Sequence, residues 1–278
     1  GADTKGNSSV AIGSSALRLQ NFTTATDVYN VAIGRAAGEA ITTGTLNTLI
    51  GGLAGDALNT GNSNVAVGTA ALSADTKGDQ SVAIGINTLT AQNFTTNTDA
   101  YNVAVGAEAG NDITTGVQNT LIGSLAGDAM TDADQNVAVG LNTLGTNVLG
   151  SKSTAVGTGA LATQNPATAI NMYNVAVGYD AGVAVSTGVD NTLIGSIAGD
   201  ALDTGGNNTA VGKQALSADT KGGTAVAIGQ LALGAQNFTD AMDNYNVAIG
   251  YSAGVGIAAA GGHIAGRFNT LIGGSAGD

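Results

Sequence analysis

A five-residue block of the form Asn-Val-Ala-Ile-Gly recurs fifteen times in the 278 residues of this chain. One long interval between its closing glycines, such as Gly13 to Gly34, is followed by three shorter and equal intervals, up to Gly85. This pattern occurs three times in succession, and two long intervals close the chain. Four unequal coils therefore make a super-repeat, and periodicity on this scale is typical of solenoids and fibres, in which each repeat packs mainly on its neighbours. The block glycines are Gly13, Gly34, Gly51, Gly68, Gly85, Gly106, Gly123, Gly140, Gly157, Gly178, Gly195, Gly212, Gly229, Gly250 and Gly273.

The repeats predict one repetitive domain over residues 1–278, with super-repeats at about 1–72, 73–144, 145–216 and 217–278. The first residues of the chain align with Ser73-Ala74-Asp75-Thr76-Lys77-Gly78, and the last three align with Ala54-Gly55-Asp56. Both ends lie inside a repeat, so we expect the chain to be part of a longer fibre.

Composition favours a thin, elongated core over a globular one. The chain has 44 glycines, one proline and only ten aromatic residues, yet 43% of its residues are hydrophobic. Small aliphatic side chains can fill a narrow core, and this hydrophobic content is too high for a disordered chain. The sequence has no cysteine, which excludes disulfides and thiolate metal sites.

Charge and hydropathy restrict the possible partners. Eight basic and 20 acidic residues give a formal net charge of −12, which would repel nucleic acids and anionic lipids. No segment has the roughly 18 uninterrupted apolar residues that a membrane helix needs. We therefore expect no nucleic-acid partner and no membrane insertion in this segment.

The block itself predicts a short parallel strand that is apolar on both faces. Its second position is Val or Thr, its third Ala or Leu and its fourth Ile or Val in every coil. By strand alternation Val31 and Ile33 share one face, and Ala32 points to the other. Strands of this kind are usually buried on both sides, so a second apolar surface is needed. We predict that the third-position face packs between chains, at Ala32, Leu49, Ala66, Ala104, Leu121, Ala138, Ala176, Leu193 and Leu271.

The residue four positions after the block glycine follows a Leu-Gly-Gly-Leu rhythm, as in Leu17, Gly38, Gly55 and Leu72. This regular exchange of large and small side chains predicts interlocking with a neighbouring chain. The block usually opens with Asn, as at Asn30, and stacked Asn side chains can form a hydrogen-bonded ladder along the axis.

The block resembles the head repeats of trimeric autotransporter adhesins of the YadA type, in the forms Ser9-Val-Ala-Ile-Gly13, Ser81-Val-Ala-Ile-Gly85 and Asn30-Val-Ala-Ile-Gly34-Arg-Ala-Ala-Gly38. The variant Asn208-Thr-Ala-Val-Gly212-Lys-Gln-Ala-Leu216 is similar to repeats of bacteriophage tail fibres. The resemblance implies an all-β parallel β-solenoid, a left-handed β-roll of about fifteen coils, with three chains side by side. It also implies an extracellular fibre used for attachment, on a cell surface or on a virion tail.

An aromatic stripe is the candidate receptor contact. Three of the longer coils carry Gln-Asn-Phe-Thr loops, and a fourth has Asn165-Pro166 in place of Asn-Phe. Each of these loops is followed by a tyrosine, and they recur every four coils, or roughly 19 Å. The rings could contact a host-surface glycan or protein receptor, or the phenylalanines could pack over the wider coil. The candidates are Phe22, Tyr29, Phe94, Tyr101, Tyr173, Tyr179, Phe238, Tyr245 and Tyr251.

Nothing in the sequence predicts catalysis or a cofactor. His263, in the insertion near residues 261–268, is the only histidine and has no second ligand nearby in sequence, so we expect it in a loop. The acids of the Ala-Gly-Asp turns, Asp56, Asp128 and Asp200, recur only once per super-repeat, too far apart to act as an acid–base pair. Lys5, Lys77, Lys152 and Lys221 recur between blocks, where we expect them to balance acidic charge.

A structural fibre that provides reach and attachment is therefore the leading interpretation, either as an adhesin or surface filament or as a phage tail-fibre shaft. A single-chain filament that stacks end to end is a further alternative. An ice-binding solenoid needs a flat threonine ladder, and the strand parity above predicts that Thr at the second position faces inward.

Overall fold

The computed structural model describes residue 3 and residues 5–256 and 266–277. In this part of the chain the protein is all-β, without a helix, and forms a parallel β-solenoid of about 14 turns. The predicted all-β parallel β-solenoid is confirmed. The chain divides into two compact units, Gly1–Gln135 and Asn136–Asp278.

Each turn of the first unit contributes one three-residue strand to a parallel sheet. The seven strands of this sheet in the first unit are β2, β4, β5, β6, β8, β10 and β11, in that order, and β1 pairs with β3 and β7 with β9. The strands are β1 Gly6–Asn7, β2 Val10–Ile12, β3 Thr26–Asp27, β4 Val31–Ile33, β5 Thr48–Ile50, β6 Val65–Val67, β7 Gly78–Asp79, β8 Val82–Ile84, β9 Thr98–Asp99, β10 Val103–Val105 and β11 Thr120–Ile122.

The second unit repeats this plan with eight strands in the order β12, β14, β16, β17, β18, β20, β22 and β23, and with the pairs β13–β15 and β19–β21. Its strands are β12 Val137–Val139, β13 Gly150–Ser151, β14 Thr154–Val156, β15 Ile170–Asn171, β16 Val175–Val177, β17 Thr192–Ile194, β18 Thr209–Val211, β19 Gly222–Gly223, β20 Val226–Ile228, β21 Met242–Asp243, β22 Val247–Ile249 and β23 Thr270–Ile272.

Pairing within each unit is in register, block on block. Ala32 lies opposite Leu49, and Leu49 lies opposite Ala66. The two-residue strands occur where a longer coil adds length, and they give the wider coil a second short ladder. The sequence period therefore corresponds directly to the structural turn.

The block glycine bends the chain where no other residue would fit. At Gly51 φ is +139°, and a Cβ there would collide with the carbonyl oxygen of Gly68 in the next turn. Both the positive φ and the close approach of two backbones require glycine. The stacking of the turns therefore explains why glycine closes every block.

A ladder of buried asparagines runs beside the sheet. The side chain of Asn47 donates to the carbonyl oxygen of Gly61 at 2.9 Å, and its Oδ1 accepts the backbone N–H of Asn64 at 3.0 Å. Asn47 itself donates to Oδ1 of Asn30, and all three asparagines are fully buried. The predicted ladder is confirmed, and it satisfies buried polar backbone groups at each turn.

Candidate functional site

The outward face of the parallel sheet carries two rows of β-branched side chains in each unit. The second and fourth block positions point outward, so Ile50 is 37% exposed and Ile122 is 41% exposed. Val and Thr at the second position are half-buried beside them, as at Val103 and Thr120. The expectation that Thr at this position faces inward is therefore wrong. Parallel sheets are usually covered on both faces, whereas the side chains of this face are half-buried or exposed in the described part of each unit.

The third-position side chains do not pack between chains, and this prediction is wrong. They lie inside the turns without accessible surface, except for Leu271, which is half-buried in the last described turn. A side chain enclosed by its own turn cannot contact another chain. The buried members are Ala32, Leu49, Ala66, Ala104, Leu121, Ala138, Ala176 and Leu193.

The Leu-Gly-Gly-Leu rhythm also acts within the chain. A Cβ on Gly38 would lie 2.7 Å from Cδ1 of Leu49, and one on Gly55 would lie 2.8 Å from its Cδ2. Leu49 therefore fills the space that these two glycines leave. The large and small residues interlock between successive turns, so the prediction of interlocking with a neighbouring chain is wrong.

The phenylalanines of the predicted aromatic stripe are core residues. Phe94 is 6% exposed, and Phe22 and Phe238 are similarly buried. The ring of Phe94 lies against Gly78, where a Cβ would approach Cδ2 at 2.9 Å. These three residues cannot contact a receptor, and the packing alternative describes them correctly.

The tyrosines of the stripe are exposed. Tyr101 is 47% exposed and occupies the left-handed region with φ of +51°, and its hydroxyl lies 3.4 Å from Oδ2 of Asp99. Tyr29 lies at the corresponding position of the first coil pair and shares this exposure and conformation. A positive φ is uncommon for an aromatic residue, and the stacked backbone imposes it here.

In the second unit Tyr173 and Tyr245 continue the pattern. Nζ of Lys152 lies 5.5 Å from the centroid of the Tyr173 ring, and Tyr245 stacks on Phe268 with centroids 5.3 Å apart. The receptor role of the exposed tyrosines stays a prediction.

Two further tyrosines of the stripe, Tyr179 and Tyr251, directly follow a block glycine, and both are exposed. A hydrogen bond to Asp180 raises the pKa of the Tyr179 hydroxyl. Their part in receptor binding is likewise a prediction.

Buried carboxylates were missed by sequence reasoning. Asp75 is fully buried, and its oxygens accept Nε2 of Gln92 at 2.6 Å and the backbone N–H groups of Gly78 and Phe94 at 2.9 and 3.4 Å. Asp219 makes the same contacts two super-repeats later, and burial raises its pKa despite these hydrogen bonds. The Asp-x-x-Gly spacing, which recurs with the Gln-Asn-Phe loop, is the sequence signal for this anchor.

The acids of the Ala-Gly-Asp turns have an unusual environment. Burial raises the pKa values of Asp56, Asp128 and Asp200, and nearby acids raise them further. In each of them Oδ1 is buried without a hydrogen-bond partner. Among the described residues, no cluster of three or more His, Cys, Asp or Glu could hold a metal ion.

Two further observations delimit the site. The predicted loop with His263 lies outside the described residues. No helix long and apolar enough to cross a bilayer occurs in the described part of the chain.

No protein-family model, no curated protein and no solved structure matches this chain significantly. The function of the chain is therefore inferred from its sequence and from the surfaces described above.

Proposed function

We propose that this chain is a structural segment of an extracellular fibre that provides reach and attachment, and that it works as a homotrimer without catalysis or a cofactor. The observation that carries the proposal is the outward apolar face of the sheet. The resemblance of the blocks to adhesin head repeats and to phage tail-fibre repeats supports the same function.

The outward face supports self-association for a physical reason. Burying apolar surface stabilises an assembly by roughly 25 cal/mol per Å², and the two rows repeat at every turn of each unit. A largely apolar surface that is partly exposed along many turns marks an interaction surface. A second copy offers the same rows at the same spacing, so three copies could cover each other's faces. The outward face, and not the third-position residues, would therefore form the contact between chains.

The mass of the purified chain in solution tests the proposal. We expect light scattering to give three times the mass of one chain. Replacing Ile50 and Ile122 with Glu places charges on the outward face, where an isolated chain tolerates them and a covered interface does not. We expect this double variant to be monomeric and still folded by circular dichroism.

The matched control is Ser124→Glu, which adds a charge at an exposed position on the turn after the block glycine. It should keep the mass of the parent chain. A parent chain that is monomeric at all concentrations would contradict the trimer. Filaments one chain wide in electron micrographs would favour end-to-end stacking in place of the trimer.

The attachment role assigns the exposed tyrosines to a host-surface glycan or protein receptor. A cell-surface adhesin and a phage tail fibre share this physics, and they differ in the domains that flank such a segment. We favour the adhesin or surface filament, because the adhesin form Ser/Asn-Val-Ala-Ile-Gly occurs in four blocks and the tail-fibre form Asn-Thr-Ala-Val-Gly in one.

An ice-binding solenoid is a second candidate, because the observed strand parity removes the objection to it. Thr at the second block position faces outward with Val, as at Thr192 and Thr209 on adjacent strands. The ladder is interrupted by Val at most turns, which weakens the match to a regular hydroxyl array. Inhibition of ice recrystallisation by the parent chain, lost in Thr192→Lys, would favour this function over the fibre.

A further inference from the structure

A polar cavity lies in the second unit, where the third super-repeat meets the fourth. Its volume is about 300 Å³, and it opens beside β19 and β21. Thr204, Asn207, Lys221 and Asp243 provide its polar lining, together with the backbone of Gly206 and Gly223. Ligand pockets measure roughly 300–1,000 Å³, so this one has room for a single small molecule.

Larger side chains occupy the equivalent positions two super-repeats earlier, where the first super-repeat meets the second. Asn62, Asp79 and Asn97 stand there in place of Gly206, Gly223 and Ala241. Oδ1 of Asp79 accepts the backbone N–H of Asn62 at 2.5 Å, and Thr60 donates to Oδ1 of Asn97 at 3.1 Å. All three replacements in the later copy remove side-chain atoms, and together they leave the cavity.

The lysine at the cavity also differs from its counterparts. Nζ of Lys5 donates to the carbonyl oxygen of Thr23 at 2.8 Å, and Nζ of Lys77 donates to that of Thr95 at 3.0 Å. The ammonium of Lys221 makes no hydrogen bond or ion pair with any described residue, although it occupies the same repeat position. Its three donors are therefore available to a ligand in the cavity.

The lining offers donors and acceptors in similar number. Asp243 supplies an anionic acceptor, Lys221 a cationic donor, and Asn207 and Thr204 can do both. A pyranose presents adjacent hydroxyls that donate and accept at once, which matches such a lining. The opposite charges of Lys221 and Asp243 favour a neutral ligand over a charged one.

An aromatic platform lies beside these groups. The hydroxyl of Tyr245 is 3.4 Å from Oδ2 of Asp243, and its ring stacks on Phe268 with an interplanar angle of 9°. Both rings are exposed. An exposed aromatic face next to hydrogen-bonding groups suits the apolar C–H face of a sugar ring, since it buries that face while the hydroxyls remain bonded.

We propose that this cavity binds one neutral pyranose residue of a saccharide. The inference rests on the proposed attachment function and gives it a ligand class and a location. It places the contact beside β19 and β21, at Asp243, Lys221 and Tyr245, and it leaves the filled earlier copy without a site.

The test uses the full chain and four methyl glycosides, those of glucose, galactose, mannose and N-acetylglucosamine. We expect saturation transfer from the protein to at least one of them, and a titration in the millimolar range with one site per chain. Asp243→Asn should weaken binding about tenfold, because it exchanges a charged acceptor for a neutral one and hydrogen bonds to charged groups are the stronger ones. The circular dichroism spectrum of Asp243→Asn should match that of the parent chain, because the fold is unchanged.

Two reciprocal variants provide the controls. Gly206→Asn with Gly223→Asp restores the side chains of the earlier copy and should abolish binding. Asn62→Gly, Asp79→Gly and Asn97→Ala together open the earlier copy and should raise the stoichiometry from one site to two.

Three results would overturn the proposal: no binding of any of the four glycosides, binding that persists in Asp243→Asn and in the filled variant, or binding of the zwitterion glycine betaine in their place. Light scattering reads self-association separately, so a failure of the cavity leaves the fibre proposal standing. A monomeric chain that still binds a glycoside would contradict the trimer and support the cavity as a binding site.

Discussion

At the scale of single residues, backbone conformation decides which positions tolerate a side chain. Gly51 and Gly52 are adjacent, yet their surroundings differ completely. A Cβ on Gly51 would meet the backbone of Gly68, whereas a Cβ on Gly52 would meet nothing within 4 Å. The block glycine is therefore required, and the glycine that follows it is not.

We expect Gly51→Ala to destabilise the protein strongly, by about 3 kcal/mol or more, because strain at positive φ adds to a backbone collision. Gly52→Ala is the matched control. It should leave the free energy of unfolding unchanged or raise it by about 0.4–1 kcal/mol through the unfolded state. Urea unfolding followed by circular dichroism measures both. Equal effects in the two variants would contradict the stacking explanation.

At the scale of elements, side chains from the strand and from the turn compete for the same space inside the solenoid. Leu49 on β5 fills the space beside Gly38 and Gly55, whereas the turn that follows Ala66 carries a buried leucine, Leu72. Leu72 adopts φ of +55° and Gly38 φ of +58°, so the turn accepts either residue without a change of backbone. Packing between successive turns, not conformation, selects the residue.

A double-mutant cycle tests this coupling. Leu49→Ala should cost about 2–5 kcal/mol through the cavity it leaves. Gly38→Leu alone should cost about 1–3 kcal/mol or more through overpacking. The double variant should be more stable, by at least about 1 kcal/mol, than the sum of the two single-variant effects predicts. The reason is that the new leucine occupies the space that Leu49 vacates.

Gly38→Leu combined with Leu121→Ala is the control for that cycle. Leu121 has the same role on β11, four turns further along the first unit. The two effects should add within about 0.5 kcal/mol, because the sites share no contact. Additivity in the Leu49 pair as well would show that the turn and the strand do not share a volume.

At the scale of the whole molecule, acidic charge sets the response to pH. The net charge is −12, and burial raises the pKa values of several carboxyls. At Asp3 burial acts in the same direction, but hydrogen bonds from Gly6 and Gln20 outweigh it and lower the pKa. Ionisation of the raised carboxyls disfavours the folded state. The carboxyls with a raised pKa are those of Asp56, Asp79, Asp128, Asp200 and Asp219.

The sign of the effect follows from proton linkage. Between the unfolded pKa, about 3.9, and the raised folded value, the folded state binds more protons than the unfolded state, so stability falls as pH rises. The penalty is fully present above the folded pKa and is relieved as pH falls through it. We therefore expect the urea midpoint to be higher at pH 5 than at pH 7.5.

Asp200→Asn should raise the midpoint at pH 7.5 and reduce its dependence on pH. Asp240→Asn, which removes one charge at an exposed position, is the control and should have a smaller effect. A midpoint that drops on mild acidification would show that carboxyls with a lowered pKa, such as Asp3, dominate the response.

The repeat period by itself determined the parallel stacked turns, the bend at each block glycine and the asparagine ladder of Asn30 and Asn47. These features depend on local conformation and on regular spacing along the chain, and both are visible in the sequence. Only the tertiary structure decided which face of the strand is interior, because the block is apolar at all three strand positions and the width of the turn selects the small side chain. It also buried Phe94, exposed Tyr101 and opened the cavity beside Gly223, since each of these depends on side chains that meet from neighbouring turns.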